Sequence, residues 1–557
     1  MNVADVVIEK VIQAGVRRIY GVPGDAVNAL VDSIRRHRDQ VEFVLVRHEE
    51  NAALIAASEA KLTGKLAVCV GTSGPGAIHL LNGLYEAKME GSPVLAVTGQ
   101  LESDLLGLDG FQEVNLIRLF EDVAAYDQAV ISPEHAPMII SRAIRASLAD
   151  RTVSHLNIPQ DVARQAVPTH FLDSPIDYAE QVTLPPGEDL DRALREFAPG
   201  LRTVLLVGKG AHGAQEEVRA LAQRLGAPVV KTLHAKDLLA DSDPLCLGGL
   251  GMLGTRPAQD AMDSAQLLVM VGTSYPYTRF LPEKARVIQI DSRANQIGKR
   301  YHVDVPLVGD AKRTLQALLE RLPAGTPSPE FLSAQRAAMA RWREKMAAAE
   351  TDGRRPIRPQ RVAATLSRLA APDAILSVDV GNVTVWMARN FSASGKHRMI
   401  FSGWLATMGV GLPGAIAAKF AFPDRQVIAA VGDGGFGMTM TDLVTAVRHG
   451  LALTVVVFRN AKLGMIRFEM EVEGFPDWGT DLVNPDFAAY ARACGGFGIT
   501  VEDPEKLEPA LEEAFRQKVP SVVDVLVDPD ERPVPPVVTL AQASGYVKSL
   551  FREKFDL

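Results

Sequence analysis

Cysteine is scarce in this chain. Cys69, Cys246 and Cys494 are the only three among 557 residues, and they lie far apart. They form neither a disulfide framework nor a metal knuckle, and a reducing cytoplasm is the expected compartment. A basic surplus is also missing. The formal net charge is −8, which gives no electrostatic reason to bind nucleic acid or an anionic membrane surface. The opening MNVADVVIEKVIQAG has no basic segment followed by an apolar one, so no signal peptide is expected. Long apolar runs are few. Leu405 to Phe422 comes nearest, but Pro413, Lys419, Gly409, Gly411 and Gly414 interrupt it, which predicts a buried loop and helix rather than a membrane span. What remains is 47% hydrophobic and 23% charged, the balance of an ordinary globular protein, with a length that predicts about three or four domains.

The rest of the chain is organised around Gln426 to Asn460. Gln426 to Val431 reads as a buried strand, Gly432-Asp433-Gly434-Gly435-Phe436-Gly437 as a glycine-rich loop, and the next residues as a helix ending at His449-Gly450. Thr454 to Phe458 reads as a second strand. Such a right-handed βαβ unit sets the first loop and the end of the second strand side by side at the carboxyl edge of a parallel sheet. Asp433 falls at the first place and Asn460 at the second. A carboxylate and an amide oxygen are hard ligands that suit Mg²⁺, and the free amides around Gly434 and Gly435 suit phosphate groups. The unit therefore predicts a site for a metal-bound diphosphate. The plain alternative is an Asp that only caps its helix.

A similar pattern occurs near the start. Val70-Gly71-Thr72-Ser73-Gly74-Pro75-Gly76 lines up with Val431 to Gly437, and the strands that follow, from Val94 and from Val455, begin at the same offset. This points to an internal duplication. Thr72 replaces Asp433 and Gly99 falls where Asn460 would be, so the first copy is expected to hold no metal.

The fold class read from these patterns is α/β, with three doubly wound open-sheet domains over residues 1–165, 190–325 and 360–530, and a C-terminal arm over 531–557. A Pro- and acid-containing connector, Val167 to Leu190, joins the first two. A polar, helical one containing Pro323, Pro327 and Pro329 and ending at Pro359 joins the next. The middle domain carries a literal G-x-G-x-x-G, Gly208 to Gly213, but no acidic residue closes the strand PVVKTL as a dinucleotide site would require. In the arm, Lys and Arg alternate with Glu and Asp, so it is expected to dock on the protein, with at most peripheral membrane contact.

The GDG at Gly432–Gly434, followed one βαβ unit later by Asn460, resembles the signature of thiamine diphosphate (ThDP) enzymes. The resemblance covers essentially the whole chain. It implies Asp433, Asn460 and the carbonyl of Lys462 as Mg²⁺ ligands, with a pyrimidine-binding N-terminal domain and a diphosphate-binding C-terminal one. It makes Glu49, in Arg47-His48-Glu49-Glu50-Asn51-Ala52-Ala53, the carboxylate that activates the cofactor, with Glu50 its neighbour. Ala406, Thr407 and Met408 match the stretch beneath the cofactor, Met408 being the apolar wedge. Within the family, the likeness is to pyruvate oxidases and quinone-dependent pyruvate dehydrogenases. That likeness implies FAD contacts at Leu250, Gly251, Met252, Leu253, Thr273, Ser274, Tyr275, Pro276, Tyr277, Asp291 and Asp310, and substrate-facing His79, Phe111, Gln112 and Glu469. A doubly wound domain without a nucleotide is the plain alternative for the middle. The implied reaction is oxidative decarboxylation of pyruvate to CO₂ and acetate or acetyl phosphate, with electrons passing through FAD to quinone or oxygen. Asp25 resembles the acetate-forming branch, whereas Met465 stands where oxidases often carry an aromatic residue. In the family Glu49 and GDG come from different subunits, which implies a homo-oligomer, commonly a dimer of dimers. Two alternatives are an acetolactate synthase-like carboligase, which has Trp where this chain has Glu469, and a flavin-binding protein without catalysis. Pairing of Glu469 with Arg467 is the non-functional explanation of that residue.

Overall fold

The computed structural model describes residues 1–168, 182–323 and 329–555. Most of the first connector, with Pro327 of the second, lies outside the described residues. Three six-stranded parallel sheets carry the fold. The first consists of β1 (Arg18–Gly21), β2 (Glu42–Leu45), β3 (Ala67–Gly71), β4 (Val94–Gln100), β5 (Tyr126–Ala129) and β6 (Val153–Pro159). The second consists of β7 (Thr203–Val207), β8 (Val229–Lys231), β9 (Cys246–Gly249), β10 (Leu267–Val271), β11 (Arg286–Asp291) and β12 (Val305–Val308). The third consists of β13 (Ile375–Val378), β14 (Arg398–Ile400), β15 (Val427–Gly432), β16 (Thr454–Arg459), β17 (Phe497–Val501) and β18 (Ser521–Leu526). Strands such as TVLLV, LLVMV and VIAAVG run apolar without alternation because helices cover both faces of each sheet, and every residue of β7 and β10 is buried.

The strand orders separate two kinds of domain. The middle sheet runs β12-β11-β10-β7-β8-β9, the order of a dinucleotide fold, with its switch point between β7 and β10. The outer sheets run β2-β1-β3-β4-β6-β5 and β14-β13-β15-β16-β18-β17. Counted from its own first strand, each is 2-1-3-4-6-5, so the duplication expected from two glycine motifs extends over whole domains. The register corrects one detail. Gly71 pairs with Thr98, whereas Gly432 pairs with Phe458, so the C-terminal copy is one residue shorter between its strands. Gln100, not Gly99, therefore stands where Asn460 does. Its amide is turned aside, Nε2 donating to the carbonyl of Val114 at 2.9 Å.

The outer domains pack through equivalent helices, each following the second strand of its sheet. Ala52, Ala53, Ala56, Ala57 and Ala60 of the helix Glu49–Thr63 share one apolar core with Leu412, Ala415, Ile416, Ala417 and Ala418 of the helix Gly411–Ala421. Small side chains on both sides let the helices approach closely. This accounts for the apolar run at Leu405 to Phe422: it is interior because it faces another domain. Asp442 binds the Asn51 side chain and the Arg47 N–H at the edge of this contact. Among the described residues no helix is long and apolar enough to cross a membrane. The arm ends in the helix Leu540–Phe555, which docks on the end of the helix Gly464–Glu473: Arg552 Nη1 donates to the Gly474 carbonyl at 2.7 Å, and Ser549 Oγ to that of Phe475 at 2.8 Å.

Candidate active site

Asp433 directly follows β15 and is the first residue of a helix, Asp433–Thr439. The expected glycine loop is thus a helical turn that opens with Asp433, Gly434 and Gly435. Glycine at 435 is needed for closeness, since a Cβ there would lie 2.6 Å from Asp379 Oδ2. At Gly432 and Gly381 a Cβ would meet nothing within 4 Å, because both face an open cleft. The helix Asn382–Asn390 also begins at this cleft, so two helix N-termini converge where a diphosphate would lie.

Asp433 is 2% exposed. Oδ2 accepts from the Ala461 N–H at 2.7 Å and from Asn484 Nδ2 at 2.8 Å, and Oδ1 accepts from the Gly434 N–H at 3.1 Å. Burial raises its pKa, and the groups opposing that shift are all neutral amide donors. A buried carboxylate whose hydrogen-bond partners are all neutral amides, with the Asp524 carboxylate nearby, fits a cation that the site must receive. Asn460 follows β16 and lines the same cleft; its Oδ1 accepts from the Lys462 N–H at 3.1 Å. Between them Ala461 has φ +54°, a left-handed conformation that costs a non-glycine residue about 1 kcal/mol or more and turns the chain sharply. The Lys462 ammonium is drawn off to Asp477 at 2.8 Å and Asp481 at 2.6 Å, and does not compete for the cation. Asn382 Oδ1 is buried there without a hydrogen-bond partner. This set of hard oxygens and amides fits Mg²⁺ with a diphosphate.

Asn484 and Asp379 escaped the sequence reading. Asn484 holds one oxygen of Asp433 from outside the βαβ unit; the only sign of it is an Asn-Pro-Asp after an acidic segment. Asn484→Ala is expected to weaken Mg²⁺-dependent ThDP binding about tenfold, as loss of a residue supporting a metal ligand does; titration of cofactor-free protein measures it. Asp379, in Val378-Asp379-Val380-Gly381 after β13, accepts the Gly409 N–H at 2.9 Å and the Gly411 N–H at 3.4 Å, and so fixes the loop that carries Met408. Burial pushes its pKa up to about 6. Met408 and Ala406 line the cleft, Met408 Cε lying 3.2 Å from where a Gly434 Cβ would stand. Thr407 turns away instead: its hydroxyl accepts from Asn82 Nδ2 at 2.9 Å, at the domain interface.

The cleft continues into the middle domain as one cavity of about 2000 Å³, several times the size that a single small ligand needs. Leu250, Met252, Leu253, Thr273 to Tyr277, Asp291 and Asp310 all line it. Gly251 lies behind this wall, where a Cβ would stand 2.5 Å from Tyr275 Oη. Asp291 ends β11, with its pKa raised by burial, and takes the Arg293 N–H at 2.9 Å, an arrangement suited to ribose hydroxyls. Asp310 caps the helix Ala311–Arg321 through the Arg313 N–H at 2.9 Å. The G-x-G-x-x-G does not cradle phosphate in the usual way. Gly208 and Gly210 pack on Gly272 and Thr273, and the next helix opens only at Gln215 with Glu216 and Glu217 in its first turn.

Two groups of site residues stay apart within one chain. Met465 and Glu469 line the cleft with Asp433 and Asn460, whereas Glu49, His79, Phe111 and Gln112 do not. Glu49 is 8% exposed. Its Oε2 lies 3.0 Å from His79 Nδ1, and the His79 ring stacks on His48 with centroids 4.3 Å apart. Gly74 lets the backbone of Gln112 (φ +63°) approach this turn, and Phe111 stands 82% exposed beside it. Thr72 Oγ1 donates to Asp25 Oδ1 at 3.4 Å, in place of a metal ligand. Arg467 is committed to Glu471 at 3.0 Å and to Asp477 and Asp530 at 3.1 Å each. Glu469 therefore keeps its carboxylate toward the cleft, its pKa raised by partial burial and by Glu473.

Fold and site together define a ThDP-dependent enzyme. Three thiamine pyrophosphate enzyme family models match: the N-terminal TPP binding domain over residues 1–119, the central domain over 190–318 and the C-terminal TPP binding domain over 379–525. YdaP of Bacillus subtilis (strain 168), whose name describes it as thiamine pyrophosphate-containing, is 44% identical over 544 residues, 98% of this chain and 94% of its own. Pyruvate oxidase of Lactiplantibacillus plantarum is 35% identical, covering 96% of this chain and 89% of its own. The acetolactate synthase large subunit of Corynebacterium glutamicum is 33% identical, covering 95% and 87%. The chain belongs to the thiamine pyrophosphate enzyme family.

Proposed function

We propose that this enzyme oxidises pyruvate, with Mg²⁺ and ThDP held by the outer domains and FAD by the middle one, releasing CO₂ and acetate or acetyl phosphate and passing electrons to quinone or oxygen. Bound ThDP would supply the chemistry that releases CO₂, and bound FAD would take up the two electrons. Asp433, Asn460 and the Lys462 carbonyl hold the cation; Ala406 and Met408 support the cofactor; the walls at Leu250 to Leu253, Thr273 to Tyr277 and Asp291 hold the flavin. Glu49 governs the proton on the aminopyrimidine, and His79, Phe111 and Gln112 face the substrate. Since Glu49 lines a different part of the chain from Asp433, a second copy is the source of the missing half of each site, and Phe111 lies exposed beside Glu49 for such a partner to cover.

The observation that carries oxidation over carboligation is Glu469, a carboxylate in the cleft with Arg467 turned elsewhere. It repels a second anionic keto acid by about 1 kcal/mol at a separation of 4 Å in water, and by more where water is excluded. It also orients water or another polar acceptor as the group that takes the acetyl. The test is product analysis with pyruvate and an artificial electron acceptor, with and without phosphate. Acetate or acetyl phosphate, formed in step with acceptor reduction, is the expected result. Acetolactate as the main product, with the flavin staying oxidised, would sink the assignment.

A further inference from the structure

Glu90 ends the helix Leu81–Glu90 of the first domain, and its side chain has no exposed surface. Its Oε1 accepts the N–H of Gly403 at 3.1 Å and of Trp404 at 3.3 Å, both from the third domain. His234 of the middle domain brings Nε2 within 3.2 Å of the same oxygen, outside hydrogen-bond geometry. Oε2 has no hydrogen-bond partner; Lys61 Nζ stands 3.6 Å from it and Lys209 Nζ 3.9 Å. Lys209 Nζ also donates to the Glu90 carbonyl at 2.5 Å. One buried carboxylate of the first domain thus meets loops of both other domains.

Each loop leads to a cofactor region. Lys209 lies between Gly208 and Gly210, which pack on the Gly272–Thr273 turn of the flavin wall, and His234 lines the same cavity. Gly403 and Trp404 lead directly to Ala406 and Met408. A Cβ at Gly403 would collide with His234 Nε2, so the two loops are in direct contact. The stretch before Met408 hangs on the first domain as well. Lys61 Nζ donates to the Phe401 carbonyl at 2.7 Å, Ser402 Oγ to Glu86 at 2.6 Å, and the Thr407 N–H to Ser402 Oγ at 2.9 Å. Arg300 makes a second bridge, stacking over Trp404 at 5.0 Å and donating to the Ser274 carbonyl at 2.9 Å. The charges agree with a shared carboxylate: against its burial, the Lys61 and Lys209 ammonium groups hold Glu90 below its usual pKa, while burial pushes Lys209 down to about 8 and His234 down to about 4, leaving that imidazole neutral.

We propose that Glu90 is a positioning residue that couples the flavin site to the thiamine site, so that each cofactor binds more tightly once the other is in place. The inference rests on the flavin reading given above. A cofactor that orders Lys209 and His234 around Glu90 also orders Gly403 and Trp404, and the second cofactor then meets a loop whose ordering entropy is already spent. Linkage makes the effect equal in both directions.

The test uses the full chain stripped of cofactors. The FAD dissociation constant is measured by flavin fluorescence with and without ThDP and Mg²⁺, and that of ThDP with and without FAD. In the unaltered protein each cofactor strengthens the other about tenfold. In Glu90→Gln, which keeps the side-chain volume, both cofactors still bind but the factor falls to about one in both directions; Glu90→Asp retains part of it. A purely structural role would weaken both affinities and leave their ratio unchanged. His234→Gln, which keeps the contact of Glu90 with Gly403 and Trp404, lowers the factor in the same way and serves if Glu90→Gln does not fold. An undiminished factor in the variants, or a factor of one in the unaltered protein, overturns the coupling. Failure of the unaltered protein to bind FAD at all overturns the flavin assignment, and this role with it.

Discussion

Replacing Asp433 by alanine abolishes Mg²⁺-dependent binding of ThDP, weakening it by about 100-fold or more, while the chain stays folded. The residue supplies the one carboxylate of the proposed cation site, and without it the charge of Mg²⁺ and a diphosphate is poorly balanced. The cofactor-free protein shows the same balance from the other side. Burial sets the pKa of Asp433 above its ordinary value, and only neutral amides oppose the shift. A carboxyl whose folded pKa is raised stabilises the fold fully below its unfolded pKa and loses that contribution as pH rises through the folded value. At neutral pH, ionised Asp433 is therefore a cost to the fold until a cation arrives. Asp433→Asn, which still accepts from Ala461 and Asn484, should match or exceed the thermal stability of the cofactor-free parent at pH 7, with the difference vanishing in acid. Thermal unfolding with and without Mg²⁺ and ThDP measures both effects. Ligand at a hundred times its Kd stabilises the parent by about 2.7 kcal/mol, and the variants gain nothing. Parent-like affinity in Asp433→Ala would remove this residue from the site.

Glu49→Gln retains ThDP binding and loses about 10²- to 10⁴-fold in the rate of C2 proton exchange, the range of a general acid–base contribution. An amide of the same shape fills the same buried place next to His79 but holds no transferable proton. Exchange of the C2 proton of added cofactor into deuterated solvent, quenched and read by NMR, isolates this step from turnover. An unchanged rate would pass the role to Glu50, whose carboxylate already takes a hydrogen bond from Asn82 at 2.6 Å. The same variant tests where the site lies. Glu49 and Asp433 line separate parts of one chain, so mixing Glu49→Gln with Asp433→Ala chains should restore one intact site of two in every hybrid dimer. Half the dimers in a random mixture are hybrid, which gives about a quarter of the parent activity. No recovery on mixing would mean that both residues act from the same chain.

Asp433 and Asn460 were legible in the sequence because a βαβ unit is a local device. Two apolar runs with a glycine turn and a short helix between them allow one handedness and one sheet edge, and both residues then follow from their places after β15 and β16. The flavin contacts proposed for the middle domain came instead from the family resemblance; they fall after β9 and β10 and at the end of β11, and all but Gly251 line one cavity. Lining up the two glycine motifs likewise gave the repeat in both outer domains, though only the register revealed that Gln100 rather than Gly99 matches Asn460. A residue missing between strands leaves no mark on an apolar pattern.

The partners that complete the site come from elsewhere in the chain, and only the tertiary structure decided them. Asn484 reaches Asp433 across 51 residues, and Asp379 reaches the Met408 loop across 30. Glu90 meets Gly403 across 313. Thr407 turned from the cleft to Asn82 because the two outer domains pack there, and Arg467 left Glu469 alone because three other carboxylates surround it. Chain connectivity and side-chain period fix what a residue does within its own turn, helix or strand. Which groups a buried carboxylate finds around it depends on how separately formed sheets and helices pack, and no spacing in the sequence encodes that.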